Sequence, residues 1–235
     1  MIELVPGVHA LGHKAGGRVH AFLIDAGGEL TLVDTLFEGD ARLVLEAIDA
    51  LGRAPSDLKR IAITHAHRSH LGGLAELKRR TNATVHAHEW EADIIAGERR
   101  AQPVTILPKQ SLKLIPFQLG LRFNRPRHKP CPVDETIDEG DALGPLHVLH
   151  APGHSPGHLA FHWPERGVLV AGDAIATWPE VCGGWTAFNL NLAQHAVSLR
   201  RMAGLEPRIV GVGHGDPIVE GAAEQVHELA ADAHP

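Results

Sequence analysis

The chain has 235 residues, 44% of them hydrophobic and 21% charged, with a formal net charge of −6. That length and balance fit a globular α/β domain with a sizeable core, and the negative charge speaks against a general nucleic-acid binder. Two cysteines, Cys131 and Cys182, make no disulfide framework, no basic-then-apolar leader opens Met1–Gly7, and no apolar run reaches bilayer length, so a cytoplasmic protein without a membrane span is expected.

In chain order, residues 19–36 hold two apolar runs around Gly27-Gly28, which predicts a β-hairpin. Val44, Ala47, Ile48 and Leu51 recur at helical spacing, and Gly52 ends that helix. Ile61 to Ile63 form a short buried strand that runs into Thr64-His65. A helix is expected from about Leu71, with Lys78, Arg79 and Arg80 at its C-terminal end, where the dipole favours cations. Thr84 to His86 reads as another strand.

Residues 97–132 change character. They carry eight Lys or Arg and one acid, a net of +7, against −13 for the rest of the chain, together with six prolines and scattered apolar residues. A basic, part-helical lid inserted in a single domain spanning 1–235 is expected, with Phe117, Arg125 and Arg127 facing the substrate. Its charge points to an anionic, amphipathic small molecule. A solvated cap or a homodimer contact is the competing use.

The second half repeats the plan. Leu146–Leu149, Leu159–Trp163, Gly167–Ala171 and Ile209–Val212 read as strands. Asn189 is expected to cap a helix bearing Leu192, Ala196 and Leu199, and a last helix carries Ala222, Val226, Leu229 and Ala230. Two mixed sheets face to face with helices outside, an αββα sandwich, satisfy this order.

The eighteen histidines decide the functional reading, because imidazole is the commonest metal ligand. Thr64-His65-Ala66-His67-Arg68-Ser69-His70 follows a buried strand. In an extended loop His65 and His67 point to one side and can meet one ion. His70 lies near a helix N-terminus, where a neutral, metal-binding imidazole is favoured. Gly72-Gly73 permits close backbone packing behind the loop. Further on, His154, Asp173 and His214 each follow a strand in a glycine-rich setting.

These motifs, in this order and over nearly the whole chain, resemble the metallo-β-lactamase superfamily, whose first loop usually reads His-x-His-x-Asp-His. The resemblance implies that His65, His67 and His154 hold one metal, that His70 and His214 help to hold a second, and that Asp173 bridges them. It also implies a buttressing role for Asp34; His158 is read as a neighbour that orients a ligand. Ser69 stands where the family places an aspartate that ligates the second metal and orients the attacking water. Serine is neutral and a poor donor, so the second site is expected to be weaker.

The expected chemistry is hydrolysis of an ester, thioester or lactone by a metal-activated hydroxide, with Asp173 and Ser69 at the reacting centre and Zn2+, one or two ions per chain, as cofactor; iron or manganese are alternatives. Pro152-Gly153-His154-Ser155-Pro156-Gly157-His158 is similar to the loop of glyoxalase II-like thioesterases. Two other readings stay open: a mononuclear iron oxidoreductase resembling persulfide dioxygenases, and a non-catalytic metal-binding protein on the same scaffold.

Overall fold

The computed structural model describes residues 1–102, 112–123 and 127–233. Among them, the first half builds a sheet of β1 (Ile2–Val5), β2 (Val8–Gly12), β3 (His20–Asp25), β4 (Leu30–Val33), β5 (Leu58–Ala62), β6 (Thr84–Ala87) and β7 (Glu135–Thr136), side by side in chain order. The first four strands run antiparallel, and β4 to β7 are parallel. The second sheet has the order β12-β11-β10-β9-β8, from β8 (Ala142–Leu143), β9 (Leu146–His150), β10 (Leu159–Trp163), β11 (Val168–Ala176) and β12 (Ile209–His214). Only its β11–β12 pair is parallel.

Both sheets are buried on two faces, and the alternation of side chains shows it. In β3, Phe22 and Ile24 pack between the sheets, whereas Ala21 and Leu23 join the layer under α2 (Arg42–Ala50) and α3 (Leu74–Thr81). In β11, Val168 and Val170 face the other sheet, and Leu169 and Ala171 pack under α6 (Leu192–Ala203) and α7 (Ala222–Asp232). Each of the larger of these side chains contributes about 1.5–3 kcal/mol by leaving water, and a one-residue slip would exchange the two sets, so the register is firmly specified. The αββα layering expected from the sequence is therefore present.

Several expectations are corrected. The helix expected from Leu71 begins at Leu74, because the Gly72 and Gly73 N–H groups bond back to Leu36 O and Thr35 O at 2.8 and 3.1 Å. A Cβ on Gly72 would overlap the Phe37 carbonyl, so this close approach requires glycine. The cap of α6 is Asn191, whose side chain accepts from Gln194 N at 3.0 Å, and not Asn189. The β1–β2 hairpin, the single turn α1 (Ala15–Arg18), α4 (Glu89–Ile95) and the two short strands β7 and β8 lie beyond what the sequence patterns predict. Pro6-Gly7 between apolar runs marks the first of these.

Within the stretch read as a lid, the described part folds as a tight turn at Leu112–Leu114 and helix α5 (Ile115–Phe123). Arg125 lies outside the described residues. No helix among them is long and apolar enough to cross a membrane.

Candidate metal centre

The candidate residues lie at the C-terminal ends of strands from both sheets. Residues 64–70 follow β5, His154 follows β9, Asp173 stands within β11, and His214 closes β12. Asp173 owes its aim to a bulge. The β11–β12 register shifts between Val170 and Gly172, and Gly172 sits at φ +54°. The Asp173 N–H leaves the ladder and donates to His158 Nε2 at 3.2 Å, which places His158 directly behind the carboxylate.

Four imidazole Nε2 atoms converge on this carboxylate. His65, His154 and His214 lie 3.5, 3.6 and 3.4 Å from Asp173 Oδ2, and His70 lies 3.3 Å from Oδ1. His67 turns its Nδ1 toward His154 Nε2 at 3.1 Å. Two donor sets result: His65, His67, His154 and Asp173 form one, and His70, Asp173 and His214 form the other. All six residues named from the sequence come together.

Each converging ring is held by its far nitrogen. His65 Nδ1 meets Thr64 Oγ1 at 3.0 Å, His70 Nδ1 meets Asp34 Oδ2 at 2.9 Å, His154 Nδ1 meets Asn189 Oδ1 at 3.1 Å, and His214 Nδ1 meets Gly17 O at 3.0 Å. At His65, His154 and His214 the acceptor at Nδ1 puts the proton there and leaves Nε2 with a lone pair. Asp34 also accepts from Thr64 N at 2.9 Å and from Thr64 Oγ1, so one carboxylate ties His70 to the loop that carries His65.

The chemistry of the donor set fits a divalent cation. His65 Nε2, His70 Nε2 and Asp173 Oδ1 are buried without a hydrogen-bond partner, which is costly unless an ion takes them up. Burial drives His65 well below the usual imidazole range, helped by the charge on His70, and drives His67 and His154 down to about 3. These three rings are thereby held in the neutral form that a metal ion requires. His70 differs from expectation. Burial opposes its charge, but Asp173 and Asp34 outweigh burial and lift it to about 10. The two carboxylates, one behind the ring at Nδ1 and one before it at Nε2, act on it from both sides. Burial opposes the Asp173 anion too, yet His214, His70 and His65 hold its pKa well below the ordinary value.

Sequence reasoning missed Glu91. Its buried carboxylate accepts from Ala66 N at 3.0 Å and Ser155 Oγ at 2.5 Å, and from the Gly157 N–H, pinning the loops of His65–His67 and His154 to each other. The available signal was its spacing: Glu91 shares the buried face of α4 with Ile94 and Ile95. Gly213 is a second unread requirement, since a Cβ there would overlap Asp173 Oδ1. Asn189, read as a cap, is the His154 anchor.

A cavity opens onto the cluster. Ser69, Phe117, Trp185 and Phe188 border it together with His67, Asp173 and His214. Trp185 stacks on His214 with ring centroids 4.2 Å apart, donates Nε1–H to Trp178 O at 2.7 Å and meets Phe117 at 5.7 Å. Arg68 borders the same cavity, half-buried, and is not a solvent-facing side chain. Arg127 is exposed and stands outside the cavity wall, whose arginines are Arg68, Arg99 and Arg100 among the described residues. Burial pushes the Cys182 thiol up to about 11, which leaves it unreactive.

A third grouping, His88, Asp138 and His150, does not make a comparable site. His88 Nδ1 accepts from Trp90 N at 3.0 Å, which puts the ring proton on Nε2, the nitrogen 3.8 Å from Asp138.

The model of the metallo-beta-lactamase superfamily matches residues 15–214, and the chain belongs to that superfamily. A probable metallo-hydrolase of Bacillus subtilis, YflN, is 28% identical over 92% of this chain and 86% of its own length. A hydroxyacylglutathione hydrolase of Cereibacter sphaeroides is 28% identical over 83% of this chain and 62% of its own. The solved structure of TTHA1623 in a di-iron-bound form is 26% identical, with a TM-score of 0.68 over 97% of this chain and 99% of that one.

Proposed function

We propose that the chain is a metal-dependent hydrolase of an ester, thioester or lactone in an amphipathic, anionic small molecule. His65, His67 and His154 would hold one divalent ion, His70 and His214 would help to hold a second, and Asp173 would lie between them. The observation that carries this reading is the convergence of four Nε2 atoms on one buried carboxylate, each ring fixed through Nδ1. Imidazole and carboxylate donors suit zinc first and iron or manganese next. A divalent ion bound here lowers the pKa of its water toward neutrality and polarises a carbonyl oxygen.

The protein's own groups supply position and a dry wall. Thr64, Asp34, Asn189 and the Gly17 carbonyl orient the rings. Trp185, Phe188 and Phe117 shield the approach, and Ser69 stands at the cavity edge, where a hydroxyl can hold a water or a substrate oxygen without adding charge. The 97–132 segment serves as the lid through Phe117. The YflN and hydroxyacylglutathione hydrolase likenesses support hydrolysis; the chain spans 62% of the latter, and that enzyme's substrate is not carried across.

Metal analysis of the purified protein, joined to a panel of esters, thioesters and lactones, tests this. Stoichiometric zinc, turnover abolished by chelation and turnover lost in His67→Ala are expected. A protein that binds metal yet cleaves nothing, both as wild type and as Ser69→Asp, would be a non-catalytic metal binder. The unequal donor sets favour one second reading, a single-iron oxidoreductase, since the His70, Asp173 and His214 set has one donor fewer. Iron at one per chain with oxygen uptake on a thiol substrate would select it.

A further inference from the structure

Arg68 is a half-buried arginine at the cavity with no carboxylate in ion-pair range among the described residues. Arg42, Arg53, Arg60, Arg79, Arg80 and Arg201 each meet a carboxylate. Arg68 pairs with none among the described residues. Its guanidinium lies 4.4 Å above the Phe37 ring, Nη1 donates to Phe37 O at 2.5 Å, and Nε is sealed from solvent without an acceptor. The side chain is thus fixed and half-buried, with the Glu38 carboxylate acting on its charge from beyond ion-pair distance, and it borders the cavity that also reaches His67, Asp173 and His214. Holding a cation in that state costs free energy that an anionic ligand recovers.

The surroundings sharpen the point. Arg99 and Arg100 stand in the same wall, and the wall's one acid among the described residues, Asp173, is engaged by the histidines. Arg99 is already occupied, stacked on Trp90 with Asp93 at 4.0 Å. Beside Arg68 the chain has Ser69, where an aspartate would neutralise the guanidinium and repel an anion. Apart from His128, the remaining surface is apolar and includes Phe117, Leu121, Trp185 and Phe188. A monoanion costs less to bring into such a wall than a dianion, which favours a carboxylate over a phosphate.

We propose that Arg68 anchors a substrate carboxylate carried on an apolar chain, with that chain along Phe117, Trp185 and Phe188 and the cleavable bond at the histidine cluster. The assignment of a cleavable bond rests on the hydrolase reading; the anion anchor does not.

Binding decides the matter without turnover. Metal-loaded wild type, Arg68→Met and Arg68→Lys are titrated with 4-phenylbutyrate, 4-phenylbutanol and 3-phenylpropyl phosphate, followed by calorimetry and by tryptophan emission, since Trp185 lines the cavity. Wild type should prefer the carboxylate to the alcohol. Arg68→Met should weaken carboxylate binding about 10- to 100-fold, shift alcohol binding far less, and be partly rescued by Arg68→Lys. Equal carboxylate affinity in wild type and Arg68→Met overturns the anchor, because the anion would then sit on the metal or elsewhere. A phosphate held more tightly than the carboxylate, and lost with Arg68, overturns the carboxylate assignment. If circular dichroism shows Arg68→Met unfolded, Arg68→Gln takes its place. Arg68-dependent binding in a protein that cleaves no ester, thioester or lactone sinks the hydrolase reading alone.

Discussion

Replacing Glu91 should cost both stability and metal affinity. In Glu91→Ala the Ala66 N–H, the Ser155 hydroxyl and the Gly157 N–H lose their shared acceptor inside the protein. Each buried donor left unsatisfied costs about 1–3 kcal/mol, so three of them predict a loss of roughly 3–9 kcal/mol, a large part of a stability of about 5–15 kcal/mol. Glu91→Gln keeps the shape and turns one acceptor into a donor that faces another donor, for about 2 kcal/mol. Urea unfolding of the metal-free variants reads that term. The second readout separates positioning from bulk stability: the Glu91→Gln loops are no longer held in register, so zinc affinity of the folded protein, measured by chelator competition, should fall about 10-fold, with kcat reduced more than KM. A Glu91→Gln protein that matches wild type in urea midpoint and in zinc competition refutes the reasoning.

The remaining predictions concern the same cluster and its supports. Because His67 and His154 titrate near 3 when folded and near 6.5 when unfolded, the unfolded chain takes up protons first as pH falls. Stability of the chelated protein should therefore drop below pH 6.5 with a slope approaching about 2.7 kcal/mol per pH unit for two protons; a flat profile between pH 5 and 6.5 contradicts it. His70 has the opposite sign: its contribution is present below 6.5 and disappears as pH rises through about 10, which alkaline unfolding curves test. Asn191→Ala should lower stability by about 1 kcal/mol through the lost cap, whereas Asn189→Ala should leave a smaller stability change and loosen metal binding; calorimetric unfolding and chelator competition should thus rank the two in opposite orders. Gly213→Ala should displace Asp173 and lower the metal content on elemental analysis, while far-UV circular dichroism stays native.

The layers and the six converging residues were legible because their signals are local. Period-two and helical runs mark the strands and helices, and imidazoles at strand ends mark the site. What escaped is set by tertiary geometry. Asn189 and Asn191 are both competent caps in extended backbone, and they are told apart only by where the helix starts and by His154 taking the Asn189 side chain. His70 sits before a helix, yet two carboxylates from other elements decide its charge. Glu91 lies on a helix that the sequence reading did not include, and nothing nearby in sequence announces that its partners are residues 66 and 155. Arg68 reads as a loop cation until Phe37 is placed beneath it.

The bulge at Gly172 has a mechanical consequence. It turns a carboxylate out of the middle of the second sheet toward imidazoles borne by the first, so any ion taken up there acts as a clasp between the two halves of the sandwich. Unzipping either half then releases the ion, and at a hundredfold excess over its dissociation constant that linkage adds about 2.7 kcal/mol against unfolding. Resistance to heat and to proteolysis should accordingly track free metal concentration as well as the apolar core.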